Sequence, residues 1–244
     1  MSKLIKVNNI SKTFFTSNSE TNVLDNLAFS VDKNEIVGIL GPSGCGKSTI
    51  LNILSLLEKP TSGSIEVNGK IGYMFQKDAL LPWRNVFSNI CIGFEIKKEL
   101  TKENIKYAHT LIEKYKLKDF VKSYPNELSG GMKQRVALIR TLVLKPDLLL
   151  LDEPFSALDS QTKLTVQNDV YSIIKQEKKS ALIVTHDISE AIALCDRIII
   201  LSERPASIKK IINISINDLS PIERRNSSLF SSFYNEICTN LGLI

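Results

Sequence analysis

The sequence lacks any run of apolar residues approaching the ~18 to 20 needed to span a bilayer. Its polar start at Met1 also lacks the apolar core and cleavage site of a secretory leader. Cysteine is sparse: Cys45, Cys91, Cys195 and Cys238 lie far apart and include no CxxC pair. That argues against a thiolate zinc site or a disulfide framework and predicts a reducing compartment. Aromatic residues make up only 7%, and the Lys and Arg residues are scattered rather than run together. A net charge of +5 distributed in this way suits weak attraction to anionic lipid or nucleotide, so no nucleic-acid partner is expected. No Ser-His-Asp or Cys-His arrangement, internal repeat or low-complexity linker is evident. The expected location is cytoplasmic, with any membrane role supplied by a partner.

What is present is a chain of 244 residues, 43% of them hydrophobic, enough for a real core. Strand-like runs occur at Leu4–Val7, Leu27–Val31 and Glu35–Leu40, then at Ser64–Val67 and Ile71–Phe75. The run Glu35–Leu40 is almost wholly apolar, as in a strand buried on both faces of a parallel sheet. A helical stretch is expected over Thr49–Leu57. From Asn85 to about Leu142 helical patterns dominate, including Lys102–Tyr115 and the spacing Met132, Val136, Ile139, Val143. Buried-strand signatures then return at Leu148–Leu151, Ala181–Val184 and Ile198–Leu201, alternating with helices. This βαβ rhythm implies a parallel sheet. The tail from Ser220 to Ile244 reads as polar and helical.

Three motifs carry phosphate chemistry. Gly41-Pro42-Ser43-Gly44-Cys45-Gly46-Lys47-Ser48, followed by Thr49, fits GxxxxGK[ST] between a buried strand and a helix. The glycines let backbone N–H groups wrap phosphates, Lys47 reaches the β- and γ-phosphates, and the Ser48 hydroxyl ligates Mg²⁺. In Leu148-Leu-Leu-Leu-Asp152 a buried strand ends in an acid where sheet ligands bind. Asp152 can hold the Mg²⁺ water shell, and Glu153 can accept a proton from attacking water. In Leu128-Ser129-Gly130-Gly131-Met132, Ser129 can cap an amphipathic helix whose first N–H groups the glycines leave bare. That is a second anion site without a lysine, which suggests that two chains share each nucleotide.

With these motifs in this order, the sequence from about Leu4 to Leu219 resembles the ABC ATPase family, whose signature motif is LSGGQ-like. The resemblance implies an α/β fold: a P-loop NTPase with a RecA-like parallel sheet core, an antiparallel β subdomain and an inserted α-helical subdomain. It places the ATPase domain at 1–219, the helical insertion at about 85–142 and a short tail at 220–244. Phe14 matches the aromatic that stacks on adenine, its rival reading being a core residue beside Phe15. Gln76 matches the glutamine that senses Mg²⁺, and Ser156-Ala157-Leu158-Asp159 the D-loop. His186, in Val184-Thr-His-Asp187, matches the switch histidine; His109 reads as a surface residue. The implied mechanism sandwiches two ATP molecules between two subunits, with Glu153, His186, Lys47 and Gln76 catalytic. Leu128 to Met132 and Ala157, Leu158 and Asp159 would form the dimer interface.

Gln76-Lys-Asp-Ala-Leu-Leu-Pro-Trp-Arg-Asn-Val86 and Leu201-Ser-Glu-Arg-Pro205, followed by Ile208, resemble segments of importer ATPases for nitrate, aliphatic sulfonates, taurine and pyrimidine precursors. The resemblance implies separate membrane permease subunits and, indirectly, an extracytoplasmic solute-binding protein. Leu80, Leu81, Pro82 and Trp83 are expected at the permease groove; the alternative is that Trp83 packs the helical insertion. Met132 stands where glutamine is commoner, Ser55 where glycine is common and Thr141 where alanine is common, and Asn68–Gly72 is a shortened loop. A soluble ABC ATPase acting on DNA or the ribosome is the rival class, but it usually carries a coiled-coil insertion or tandem cassettes.

Overall fold

In the computed structural model, residues 3–16, 19–76, 78–156, 158–216 and 219–244 are described. Strand β1 (Lys3–Thr16) pairs antiparallel with β2 (Ser19–Asp32). Then β3 (Ile36–Leu40) leads through the Gly41–Gly46 loop into helix α1 (Lys47–Leu54), and β4 (Ser62–Val67) returns to the free side of β1. These strands form a three-stranded sheet in the order β2-β1-β4. Both 14-residue strands are far longer than the short runs expected from alternation. The reason is a bulge. The pairing slips between Val7 and Ile10, and Asn9 and Asn26 both take φ of 51°, joined by a 2.7 Å side-chain hydrogen bond. Asn tolerates this left-handed geometry, and the extra residue breaks the alternating pattern.

The main sheet joins β5 (Ile71–Met74), β6 (Leu148–Asp152), β7 (Ser180–Val184), β8 (Arg197–Leu201) and β9 (Ile208–Asn213) to β3, in the order β5-β6-β7-β3-β8-β9. All neighbours are parallel except β9, an antiparallel edge strand that the sequence pattern does not reveal. Between β5 and β6 run α2 (Val86–Ile96), α3 (Lys102–Lys114) and α4 (Gly130–Leu142). Helix α5 (Ser160–Gln176) links β6 to β7, and α6 (Ile188–Leu194) links β7 to β8.

The sheet separates two cores. Leu148 and Leu150 of β6 pack with β1, β2 and α1, whereas Leu149 and Leu151 pack with the helices on the other face. The same alternation runs through β3, where Val37 and Ile39 face one core and Ile36 and Leu40 the other. Each of these leucines, withdrawn from water on both sides of the sheet, contributes on the order of 1.5–3 kcal/mol. That burial fixes the C-terminal ends of β3, β6 and β7 where the motifs begin.

The tail is less polar than its composition implies. Helix α7 (Pro221–Arg225) starts with a capping box, Ser220 with Glu223, and Pro221 in its first turn. Helix α8 (Ser228–Leu241) buries Ile237 and Cys238 in the helical core. Arg224 is 1% exposed; its guanidinium donates to the Cys195 carbonyl at 2.8 Å and sits over the Tyr171 ring. Buried in this way, Arg224 fastens the tail to α5 and to the C-terminal end of α6.

Candidate active site

The P-loop leaves β3 at Gly41. Gly44 (φ +73°) and Gly46 (φ +118°) take backbone conformations that side chains resist. A Cβ on Gly46 would lie 2.7 Å from Val23 of β2, so only glycine fits there. Gly46 caps α1 without a side chain, leaving the first N–H groups of the helix to an anion. The helix starts at Lys47, two residues earlier than expected, so Ser48 and Thr49 lie in its first turn. Lys47 is buried and donates to the carbonyls of Gly41 (2.8 Å) and Pro42 (2.9 Å). The Cys45 thiol points into the core and burial raises its pKa; among the loop residues it is packing. A cavity of about 250 Å³ is lined by Ser43, Gly44, Lys47, Ser48, Thr49 and, from elsewhere in the chain, Glu153 and Arg204.

Asp152 ends β6 beside Ser48. Burial raises its carboxyl above the usual range, with the charge of Glu153 adding to the shift and Ser48 and Tyr73 opposing it. Glu153 has φ of +42°, uncommon for a non-glycine residue. Its N–H donates to Val184 (2.9 Å) and its carbonyl accepts from the Ser156 hydroxyl (3.0 Å), which holds the strained geometry. The carboxylate is gripped on both oxygens: Gln76 Nε2 donates to Oε2 at 3.2 Å, and His186 Nδ1 lies 3.2 Å from Oε1. Gln76, Glu153 and His186 thus converge from β5, β6 and β7 on one wall of an open cavity of about 650 Å³, which Gly130 and Leu158 also line.

A network the sequence pattern did not reveal underlies the His186 loop. Asp187 caps α6 and pairs with Lys163 of α5 at 2.7 Å. Lys163 also lies 3.2 Å from buried Glu190, whose other partner is buried Gln167 (3.1 Å). Gln167 in turn accepts from Arg225 of α7 at 2.7 Å. Burial pushes Asp187 up, but Lys163 and the Glu190 N–H outweigh it and hold its pKa below 3.8.

Ser129 caps α4 as expected, accepting from Met132 N at 3.3 Å. Ser129 and Gly130 are exposed at the helix start, whereas Gly131 is buried against α5, where a Cβ would meet Thr162 and Val166 at 3.0 Å. Of the expected interface residues, Leu128 requires correction: at 6% exposure its apolar side chain belongs to the core of its own chain. Met132 packs against the same core; Leu158 does so too and abuts Gly130. Asp159 is exposed and caps α5 by accepting from Thr162 N. Ala157 lies outside the described residues. Phe14 is not on the wall of the P-loop cavity and is not a core residue; it sits on β1, 38% exposed, with the Lys12 ammonium 4.7 Å above one face.

The model of the ABC transporter family matches residues 24–156. The chain belongs to the ABC transporter family. An ABC transporter ATP-binding protein of Bacillus subtilis, YtlC, is 40% identical over 98% of this chain and 95% of its own. The aliphatic sulfonates import ATP-binding protein SsuB of Bacillus anthracis is 39% identical over 96% of this chain and 94% of its own. The dimeric structure of the ABC transporter cassette MJ0796 superposes with a TM-score of 0.75 at 31% identity, covering 86% of this chain and 98% of that one. The same cassette is also known as a dimer in a post-hydrolysis state bound to ADP and Pi, with a TM-score of 0.74 at 30% identity. The chain therefore has the ABC ATPase cassette fold and is an ATPase of that family.

In this ABC ATPase the loop after Gln76 is built by two residues that carry no motif. Asn89, fully buried on α2, accepts from Leu81 N (2.8 Å) and donates to the carbonyls of Leu81, Arg84 and Asn85. Arg140 of α4 donates to the carbonyls of Asp78 (2.6 Å) and Ala79 (2.7 Å), tying the loop to the signature helix. Leu80 is corrected: it is 8% exposed and anchors the loop in the core, so it offers no face to a partner. Trp83, at 71% exposure, does not pack the helical insertion; Pro82 is exposed and Leu81 half-buried. Thr141 is accommodated because β5 carries Gly72 opposite it, where a Cβ would lie 2.6 Å from Thr141 Cγ2. Exposed His109 stacks on Phe87. No described helix is long and apolar enough to cross a membrane.

Proposed function

We propose that this ABC ATPase is the motor subunit of an importer, a peripheral protein at the cytoplasmic face of the membrane that hydrolyses Mg²⁺–ATP as a dimer. The observation that carries the hydrolytic reading is the grip of Gln76 and His186 on Glu153 at the rim of the P-loop cavity. Held there, the Glu153 carboxylate accepts the proton of the attacking water. Lys47, from the P-loop, and His186 offset charge on the transferring phosphoryl group. The backbone N–H groups at the start of α1 bind the remaining phosphate oxygens, and Phe14 offers a ring face to adenine. The exposed Ser129 and Gly130 N-terminus of α4 supplies the second phosphate contact, to the nucleotide of the opposing copy.

The donor set fits Mg²⁺. Ser48, Gln76 and Asp152 present oxygen ligands, and no group of three His, Cys, Asp or Glu among the described residues could cage an ion without further ligands. A small hard cation that completes its shell with phosphate oxygens and water suits such a half-site. When bound, it neutralises phosphate charge.

Residues 1–219 form the ATPase domain in this reading, with a helical subdomain at about 85–142 and a supporting tail at 220–244. Leu81, Pro82 and Trp83 meet the permease, and a solute-binding protein delivers the cargo outside. The cargo class is nitrate-, sulfonate- or taurine-like, or a pyrimidine precursor. The similarity to an aliphatic sulfonates import protein supports it. The test is phosphate release from Mg²⁺–ATP with permease subunits present. His186→Ala lowers kcat by about 10²-fold or more, and Trp83→Ala removes permease stimulation only. Turnover undiminished in His186→Ala contradicts the reading.

A further inference from the structure

Arg204 lies in a segment with no assigned chemistry, yet it stands on the wall of the P-loop cavity with Lys47, Ser48 and Thr49. Its place there is dictated by the loop between β8 and β9. Ser202 closes that loop on Ser207: its N–H donates to the Ser207 carbonyl at 2.9 Å, and its hydroxyl accepts the Ser207 N–H at 2.8 Å. Ala206 is pinned to β2 by two backbone bonds of 2.9 Å, from its own N–H to Val23 O and from Asp25 N to its carbonyl. Val23 is the same residue that crowds Gly46. The loop is thus fastened to the strand that backs the P-loop, and Arg204 projects from it over Gly44, donating from a terminal guanidinium nitrogen to the Gly44 carbonyl.

Two consequences follow from this placement. The bond fixes a glycine in the left-handed region, and the orientation of that peptide sets where the next N–H groups point. A guanidinium has five donors, and one bond to a carbonyl leaves others for phosphate. The cavity also needs positive charge. Asp152 and Glu153 stand beside Lys47, while a nucleoside triphosphate brings several negative charges of its own. We infer that Arg204 is a second cationic phosphate contact, positioning the P-loop through Gly44 and binding the nucleotide's phosphate chain alongside Lys47.

The inference rests on the P-loop cavity being the ATP site. The test is the affinity of the full chain for ATP, measured by displacement of a fluorescent ATP analogue in Mg²⁺ buffer. Arg204→Ala weakens ATP about five- to tenfold, and the loss is larger at low ionic strength because salt screens a charge contact. Arg204→Lys keeps the charge and recovers part of the loss. In turnover, Arg204→Ala raises KM and leaves kcat near wild type. An ATP affinity equal to wild type overturns the inference, as does a loss that neither salt nor Arg204→Lys alters. Wild-type binding that Lys47→Ala abolishes while Arg204→Ala leaves it unchanged refutes only the Arg204 role. A wild type that binds no ATP refutes both readings.

Discussion

Replacing Asn89 with leucine isolates what one buried side chain does for the loop that displays Trp83. The amide engages four backbone groups, accepting from Leu81 N and sharing its two N–H donors among the carbonyls of Leu81, Arg84 and Asn85. Leucine keeps the volume and removes every one of these contacts. At roughly 0.5–1.5 kcal/mol net for each, and with some of the freed backbone groups able to reach water, the loss is about 3 kcal/mol. For a chain of this size, about 2–4 °C of thermal midpoint is lost per kcal/mol, so the midpoint falls by about 6–12 °C. The loop should loosen before the molecule melts. Trp83 is the single tryptophan, so its fluorescence anisotropy reports that loosening directly. Permease-independent ATP turnover stays within about twofold of wild type, because Gln76 and Glu153 keep their own bond. A midpoint within about 2 °C of wild type and unchanged anisotropy would refute the role given to Asn89.

Other outcomes follow from the same structure. Gly46→Ala places a methyl against Val23 and Leu24 at φ +118°, so ATP affinity in a displacement assay falls by about tenfold or more. Arg224→Met leaves the Cys195 carbonyl without its donor in a buried place and destabilises by about 2–3 kcal/mol, read by urea unfolding. The Asp187 carboxyl is held low in the fold, so its contribution is present above its ordinary pKa of 3.8 and is lost as pH falls below it. Acid unfolding curves of Asp187→Asn should therefore be flatter than wild type in that window.

The parallel core was legible because strands buried on both faces leave unbroken apolar runs. Leu148–Leu151 and Ala181–Val184 show this, with every residue buried. The long strands β1 and β2 were not, since their pairing depends on bulges at Asn9 and Asn26 that disrupt alternation. Strand β9 was hidden because four of its six residues, Lys209, Lys210, Ile211 and Asn213, face solvent at the sheet edge. Burial was misread for Leu80 and Leu128, which sit in motifs of functional type but pack inward. The P-loop, Asp152 and Glu153 were legible because their chemistry needs fixed residue types at fixed spacing. Arg140, Arg204 and the Lys163–Glu190–Gln167–Arg225 chain left no such trace, since each acts through contacts distant in sequence, and Asn89 left none because it bonds backbone groups of its own loop, which demand no partner residue type.

The central claim is that Glu153 is the base at a nucleotide shared by two chains. It is tested by Glu153→Gln with Mg²⁺–ATP, measuring phosphate release together with mass by light scattering. Glutamine preserves the side-chain shape and removes the proton acceptor. Phosphate release should fall by about 10²-fold or more while ATP stays bound and the chain elutes as a stable dimer. Release at the wild-type rate would remove Glu153 from the chemistry, and an ATP-bound monomer would contradict a shared site.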